Sequence, residues 1–395
     1  MTAEIGILNR TAVALAADSA STLKVAGKTK FTTADKLFDL SKHVGMMVYD
    51  NAYFTGVPWE VVIKIYRLSI KSVYYETLRE YSDSFLKFLT NETEIYDQTY
   101  ENELVVSALK YCLNEAGIQD SPAEKNDSLN KQLEEKVKDF SQIKFLDGFD
   151  ESFVKSFVEK YHLPLQKYMG DISPKAKQNL ILLCAYVISK TTYLTDTMPS
   201  SGIVIAGYGS KEIFPSLYEY KITGIVNGKL IYQIKRSVKI HEASNIPTNI
   251  FSTIMPFAQT DIVETYTLGI DTEIKNTIFN EINRIFDNFY DIITSEAGNA
   301  LEHEFSGKDI DAINTVGLKL KKKITDAFTG KQTAKYIDPL MYMAGFLGTE
   351  EMASLAEALV NLTSIRRRYT TDEETVGGAA HVAVITKGEG FVWKL

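Results

Sequence analysis

The chain has 395 residues, 45% hydrophobic and 24% charged, a globular composition that excludes disordered and fibrous classes. Its 43 basic and 51 acidic side chains leave a formal charge of −8, which argues against nucleic acid or an anionic membrane as the main partner. Cys112 and Cys184 make neither a disulfide framework nor a zinc cluster, and five histidines without HExxH or HxH spacing leave little for a metal site.

The opening, MTAEIGILNR, carries no basic segment followed by an apolar stretch, so no signal peptide is expected. The longest apolar run, LILLCAYVI at 180–188, is about half of what spans a bilayer. A cytoplasmic protein is the expectation. The first fifty residues read as strands: Ala3, Ile5 and Ile7 alternate with Glu4 and Gly6, and Ala12 to Ala17 puts Val13 and Leu15 on one face and Ala12, Ala14 and Ala16 on the other. Asn9-Arg10-Thr11 between them has hairpin length, and Val44 to Tyr49 is too apolar for an exposed edge.

At Pro58 the period changes. Trp59, Val62, Ile63, Tyr66, Ile70 and Val73 recur at helical spacing. Helical, charge-rich character continues through 76–168, and Ser173-Pro174 starts another helix ending near Lys190. Strands return over 202–235, with Asn227-Gly228 as a turn. Residues 259–297 and 308–328 read as helices, the second bearing the run KLKKK at 319–323 as a solvated face. A helix over 350–366 precedes two last strands, Ala380 to Thr386 and Phe391 to Lys394. This order suits two antiparallel sheets packed face to face with helices outside, an α+β sandwich.

Asp18 shares the face of Ala12, Ala14 and Ala16, so its carboxylate needs a partner, and Lys36 is a candidate. From these two residues alone a structural ion pair is the simpler reading. Thr2 adds chemistry: removal of Met1 would expose a hydroxyl and an α-amine on one residue. Such an amine titrates at about 7.7–8.0 and can serve as base for its own side chain.

The segment TAEIGILNRTAVALAADSAST (2–22) resembles the start of a mature proteasome β-type subunit, in the N-terminal nucleophile (Ntn) hydrolase superfamily. That family opens on a nucleophilic Thr with an Asp sixteen residues on, in an AD-[ST]-x-x-T motif; Thr2 and Asp18 have this spacing. Lys36-Leu37-Phe38-Asp39-Leu40 matches its catalytic Lys segment, two residues later than usual. IVIAGYGSKEIFPSLYEYKITG (203–224) and the final helix and strands are also similar to it, so about half the chain takes part, from both ends.

The resemblance implies a four-layer αββα sandwich. Its core would comprise 1–75, 171–274 and 341–395, with helical insertions at 76–170 and 275–340. It implies threonine-type hydrolysis of a peptide or amide bond, with Thr2, Asp18 and Lys36 catalytic, no metal or cofactor, and a homo-oligomer. The oxyanion-loop glycine of the family aligns at Asp50-Asn51. A supporting Ser has no clear match, with Gln259 and Thr260 nearest, and the final D-x-x-S-G turn becomes Glu373-Glu374-Thr375-Val376-Gly377. Two other readings stay open: a catalytically silent assembly or recognition module, and a small-molecule amidohydrolase. Whether an ATP-driven unfoldase delivers substrate is not written in the residues.

Overall fold

In the computed structural model, residues 2–25, 28–71, 73–92, 95–118, 126–241, 251–289, 291–293, 306–370 and 377–394 are described. The first strands are β1 (Ala3–Asn9), β2 (Ala12–Asp18), β3 (Ala20–Val25), β4 (Lys28–Thr33), β5 (Leu37–Ser41) and β6 (Val44–Asp50). Two short strands, β7 (Tyr53–Phe54) and β8 (Val57–Pro58), precede helices α1 (Trp59–Ser69), α2 (Leu78–Asn91), α3 (Gln98–Glu115), α4 (Asn126–Gln142), α5 (Glu151–Leu165), α6 (Pro174–Lys190) and α7 (Tyr193–Thr197). Next come β9 (Ser201–Gly207), β10 (Ser216–Val226), β11 (Lys229–Lys239) and β12 (Ser252–Ala258). Helices α8 (Asp261–Leu268), α9 (Thr272–Asp287), α10 (Gly307–Gln332), α11 (Asp338–Ala344) and α12 (Thr349–Arg368) lead to β13 (Ala380–Thr386) and β14 (Gly390–Lys394).

Among the described residues, the strands form two five-stranded antiparallel sheets, ordered β12-β1-β2-β13-β14 and β11-β10-β9-β6-β5, plus two short hairpins. The mixed α+β class is therefore the observed one. The β1–β2 turn is fixed by Asn9, whose side-chain oxygen accepts the N–H groups of Thr11 and Ala12 at 2.9 and 3.1 Å. Its amide donates to the carbonyls of Ala344 and Leu347, which ties the hairpin to α11 and the turn after it.

Strand β2 is buried on both faces. Val13, Leu15 and Ala17 meet Val204, Ala206 and Leu217 of the second sheet, while Ala12, Ala14 and Ala16 lie against Met352, Ala356 and Leu359 of α12. Small residues on that face let the helix approach closely. The other face of the second sheet packs on α1 and α2, where Trp59, Tyr66 and Phe85 cover Ile203, Ile205 and Tyr220. The indole of Trp59 donates to the Ser201 hydroxyl at 2.7 Å.

A separate apolar core joins α3, α4, α5, α6 and α7. The apolar run 180–188 lies inside it, on the second half of α6, which is buried almost all round, while the first turns carry exposed Lys175 and Gln178. Val226 and Ile231, flanking the β10–β11 turn, attach this bundle to the second sheet. The boundary expected at 171 therefore falls within one packed unit. Among the described residues, no helix is long and apolar enough to cross a membrane.

Three elements differ from the sequence expectations. The helical stripe expected to reach Val73 stops at Ser69, where Ile70 leaves helical geometry and Val73 is exposed. The helix expected over 259–297 is broken: α8 ends at Gly269, whose φ of 68° is the left-handed cap that glycine favours, and Asp271 caps α9 by accepting two N–H groups. Strand β12 was not expected. It contains Pro256, tolerated because β12 is a sheet edge that, among the described residues, pairs with β1 alone.

Candidate active site

Asp18 closes β2 and is 1% exposed. Its Oδ1 accepts the Ala3 N–H at 2.9 Å and the Lys36 ammonium at 2.8 Å, and its Oδ2 accepts the Gly377 N–H at 3.2 Å. One carboxylate thus collects a cation and two backbone donors, which makes its burial affordable. Lys36 precedes β5, is buried, and also donates to the Ala20 carbonyl at 2.5 Å. The Lys36 carbonyl receives the Val48 N–H at 2.9 Å, fastening this lysine to the edge of β6.

Thr2 lies one peptide from the Ala3 amide that Asp18 holds. The Thr2 carbonyl accepts the Gln259 N–H at 3.1 Å, continuing the β1–β12 ladder. Thr2, Asp18 and Lys36 therefore converge at the end of the first sheet. Gly377 joins them through its backbone, and Gly378 adopts a φ of 75°, where an added Cβ would stand 2.5 Å from the Ser19 hydroxyl.

Asp50 ends β6 with a φ of 64°, a left-handed conformation that Asp tolerates better than most residues. The position aligned with a family glycine thus keeps a glycine-like backbone. By strand alternation the Asp50 N–H lies on the same edge as that of Val48, toward Lys36. The Asn51 N–H points the other way, to the Ser200 carbonyl at 3.4 Å, so of the two only the Asp50 N–H faces Lys36. Burial pushes the Asp50 carboxyl up, against the pull of Lys221.

The weaker candidates divide. Gln259 contributes its backbone, while its side-chain oxygen accepts from Arg367, which also pairs with Asp261. Thr260 precedes α8, and its carbonyl takes the Glu264 N–H at 2.8 Å, away from the Asp18 contacts. Glu373 and Val376 lie outside the described residues.

Sequence reasoning missed Glu4. Its alternation with Ala3 and Ile5 reads as a solvent-facing position, yet it is fully buried and both carboxylate oxygens lack a hydrogen-bond partner. Burial raises its pKa well above the ordinary value, opposed by Lys36 and reinforced by Asp18, Asp50 and Glu219. Beyond it, Glu219 accepts from the Tyr49 hydroxyl and from Arg236, whose guanidinium also donates to the Pro256 carbonyl at 2.7 Å. Gly202 leaves room for the Tyr49 ring, which burial and then Glu219 keep protonated. The advance signal was one acid among the apolar residues Ala3 to Leu8 of β1.

Glu4 should make stability pH-dependent. A carboxyl whose pKa rises on folding contributes stability that is complete below its unfolded value near 4.5 and lost as pH climbs through the folded value. Each unit of upward shift is worth about 1.4 kcal/mol. Glu4→Gln is therefore expected to gain stability relative to wild type between pH 5 and pH 8, read from urea midpoints. Parallel pH profiles for the two proteins would contradict this.

Compared with protein-family models and with curated proteins, the chain matches none.

Proposed function

We propose that this chain is a threonine-type hydrolase of the Ntn class, built on a four-layer αββα sandwich like that of proteasome β-type subunits. It would cleave peptide or amide bonds through Thr2 once residue 1 is gone. The observation that carries this reading is the double grip of Asp18, which holds the Lys36 ammonium and the amide next to Thr2 with the same oxygen. Two sheets sharing a core, each with helices on its outer face, support the sandwich.

The Thr2 α-amine takes the proton of its own hydroxyl, and Oγ attacks the substrate carbonyl. Lys36 beside the amine disfavours its protonated form, and Asp18 keeps Lys36 in place. The Asp50 N–H receives the negative charge developing on the carbonyl oxygen. The amine then protonates the leaving nitrogen, and the acyl ester on Thr2 is released by water activated through the same amine.

The test compares wild type with Thr2→Ala on peptide and simple amide substrates, after mass spectrometry has verified the free amine at residue 2. Expected is a loss of at least about 10³-fold in kcat/KM. Equal rates in the two proteins, or no hydrolysis by wild type, would overturn the proposal in favour of a non-hydrolytic assembly module.

A further inference from the structure

Helices α9 and α10 run antiparallel, with Lys275 bonded to Gln332, Phe279 against Phe328, and Lys321 paired with Asp287. At about 100° per residue, the α9 seam of Phe279, Ile282, Phe286 and Phe289 covers only part of its apolar arc. Ile274, Ile278 and Ile285 form a second stripe beside that seam, 38–56% exposed. On α10, Val316, Leu320 and Ile324 do the same, 41–51% exposed. Because the helices are antiparallel, the two stripes turn to the same side and merge into one apolar face.

We infer that this face is an interface between two copies of the chain, closing into an antiparallel four-helix layer. The occupant follows from charge. The outer border of the face on α9 carries Glu281, with Arg284 folded onto it at 2.7 Å. The outer border on α10 carries Lys319 and Lys323. A two-fold axis parallel to the helices lays α9 of one copy on α10 of the other, so that Glu281 of each copy faces the lysine border of its partner. A two-fold across the helices would stack acid on acid. One face bearing both borders is its own complement, the condition for an isologous contact.

The size suits a weak, concentration-dependent pair. A 16-residue helix is about 24 Å long and about 10 Å wide, so two such helices offer about 480 Å² per copy. The total, about 960 Å², lies below the roughly 1,200–2,000 Å² of a stable interface and in the range of weak, reversible association.

The full-length protein is tested by light scattering over a concentration series, alongside Ile278→Asp/Leu320→Asp, which alters exposed positions only. Expected for wild type is a species of twice the 44.4 kDa chain mass, or an even-numbered multiple, which the double variant halves while its helical circular dichroism and cooperative urea unfolding are retained. A charge series fixes the geometry: Lys323→Glu weakens association at least tenfold, and adding Glu281→Lys restores it. A monomeric wild type, or an assembly that the apolar variant leaves intact, would overturn the inference. Hydrolysis is not a readout here, so failure of the Thr2 proposal is distinguishable.

Discussion

Lys36→Met is expected to destabilise the chain by about 3 kcal/mol and to abolish hydrolysis. Removing one member of a buried ion pair costs about 3–5 kcal/mol, because the remaining charge has no partner. Asp18 keeps the N–H groups of Ala3 and Gly377, which places the loss at the lower end of that range. The ammonium also lies near Glu4, so its removal strips the cation from two buried carboxyls at once. A double-mutant cycle with Asp18→Asn separates the pair from the packing around it. With the pair broken by Asp18→Asn, adding Lys36→Met should cost less than Lys36→Met alone, read from urea midpoints. Strict additivity would show that the two groups do not stabilise each other.

Leu15→Ala is expected to cost about 3–5 kcal/mol, the upper part of the range for burying a cavity of this kind. Leu15 is fully buried at the centre of β2 and projects into the core between the sheets. Its two methyl groups occupy the space over two glycines, 2.9 Å from where a Gly45 Cβ would stand and 3.7 Å from that of Gly6. The sheets meet closely at this point because those glycines carry no side chain, so neighbouring groups have little freedom to refill the hole. The same strand ends in Asp18, three residues on. Loosened strand packing should therefore appear in activity as well, as a reduced kcat at temperatures where the variant is still folded. A loss below 1 kcal/mol in urea unfolding would show that the sheets collapse onto the vacated site.

The hairpin of β1 and β2 was legible because Asn9 turns the chain with its own side chain and the following strand alternates cleanly. The apolar stretch in α6 was legible as buried for the same kind of reason: nine apolar residues in succession leave no polar face. Asp18 and Lys36 could be paired in advance because a carboxylate on a small-residue face demands a cation. Glu4 could not be assigned that way. Period-two alternation marks a polar residue as solvent-facing only when one face of a sheet is wet, and β1 is covered on both faces. Strand β12 escaped because Pro256 reads as a breaker until its edge position is known. The division of α8 from α9 depended on the left-handed conformation of Gly269, and glycine alone does not reveal that a turn will use it. Asp50 shows the limit most clearly. The resemblance places a glycine where this chain has Asp50-Asn51, yet the Asp50 backbone itself adopts the left-handed conformation that glycine favours. The pairing of Lys321 with Asp287 and the exposure of Lys319 fit the solvated reading of the lysine run, whose border position on the apolar face needed the α9 partner to be seen.

Everything proposed for Thr2 depends on a free α-amine at that residue, and the N-terminal peptide of the protein purified from its native host decides whether one exists. Digestion and mass spectrometry should return a peptide beginning Thr-Ala-Glu-Ile, with no residue before Thr2. A peptide that retains Met1 in every molecule would leave Thr2 without its base and contradict the mechanism.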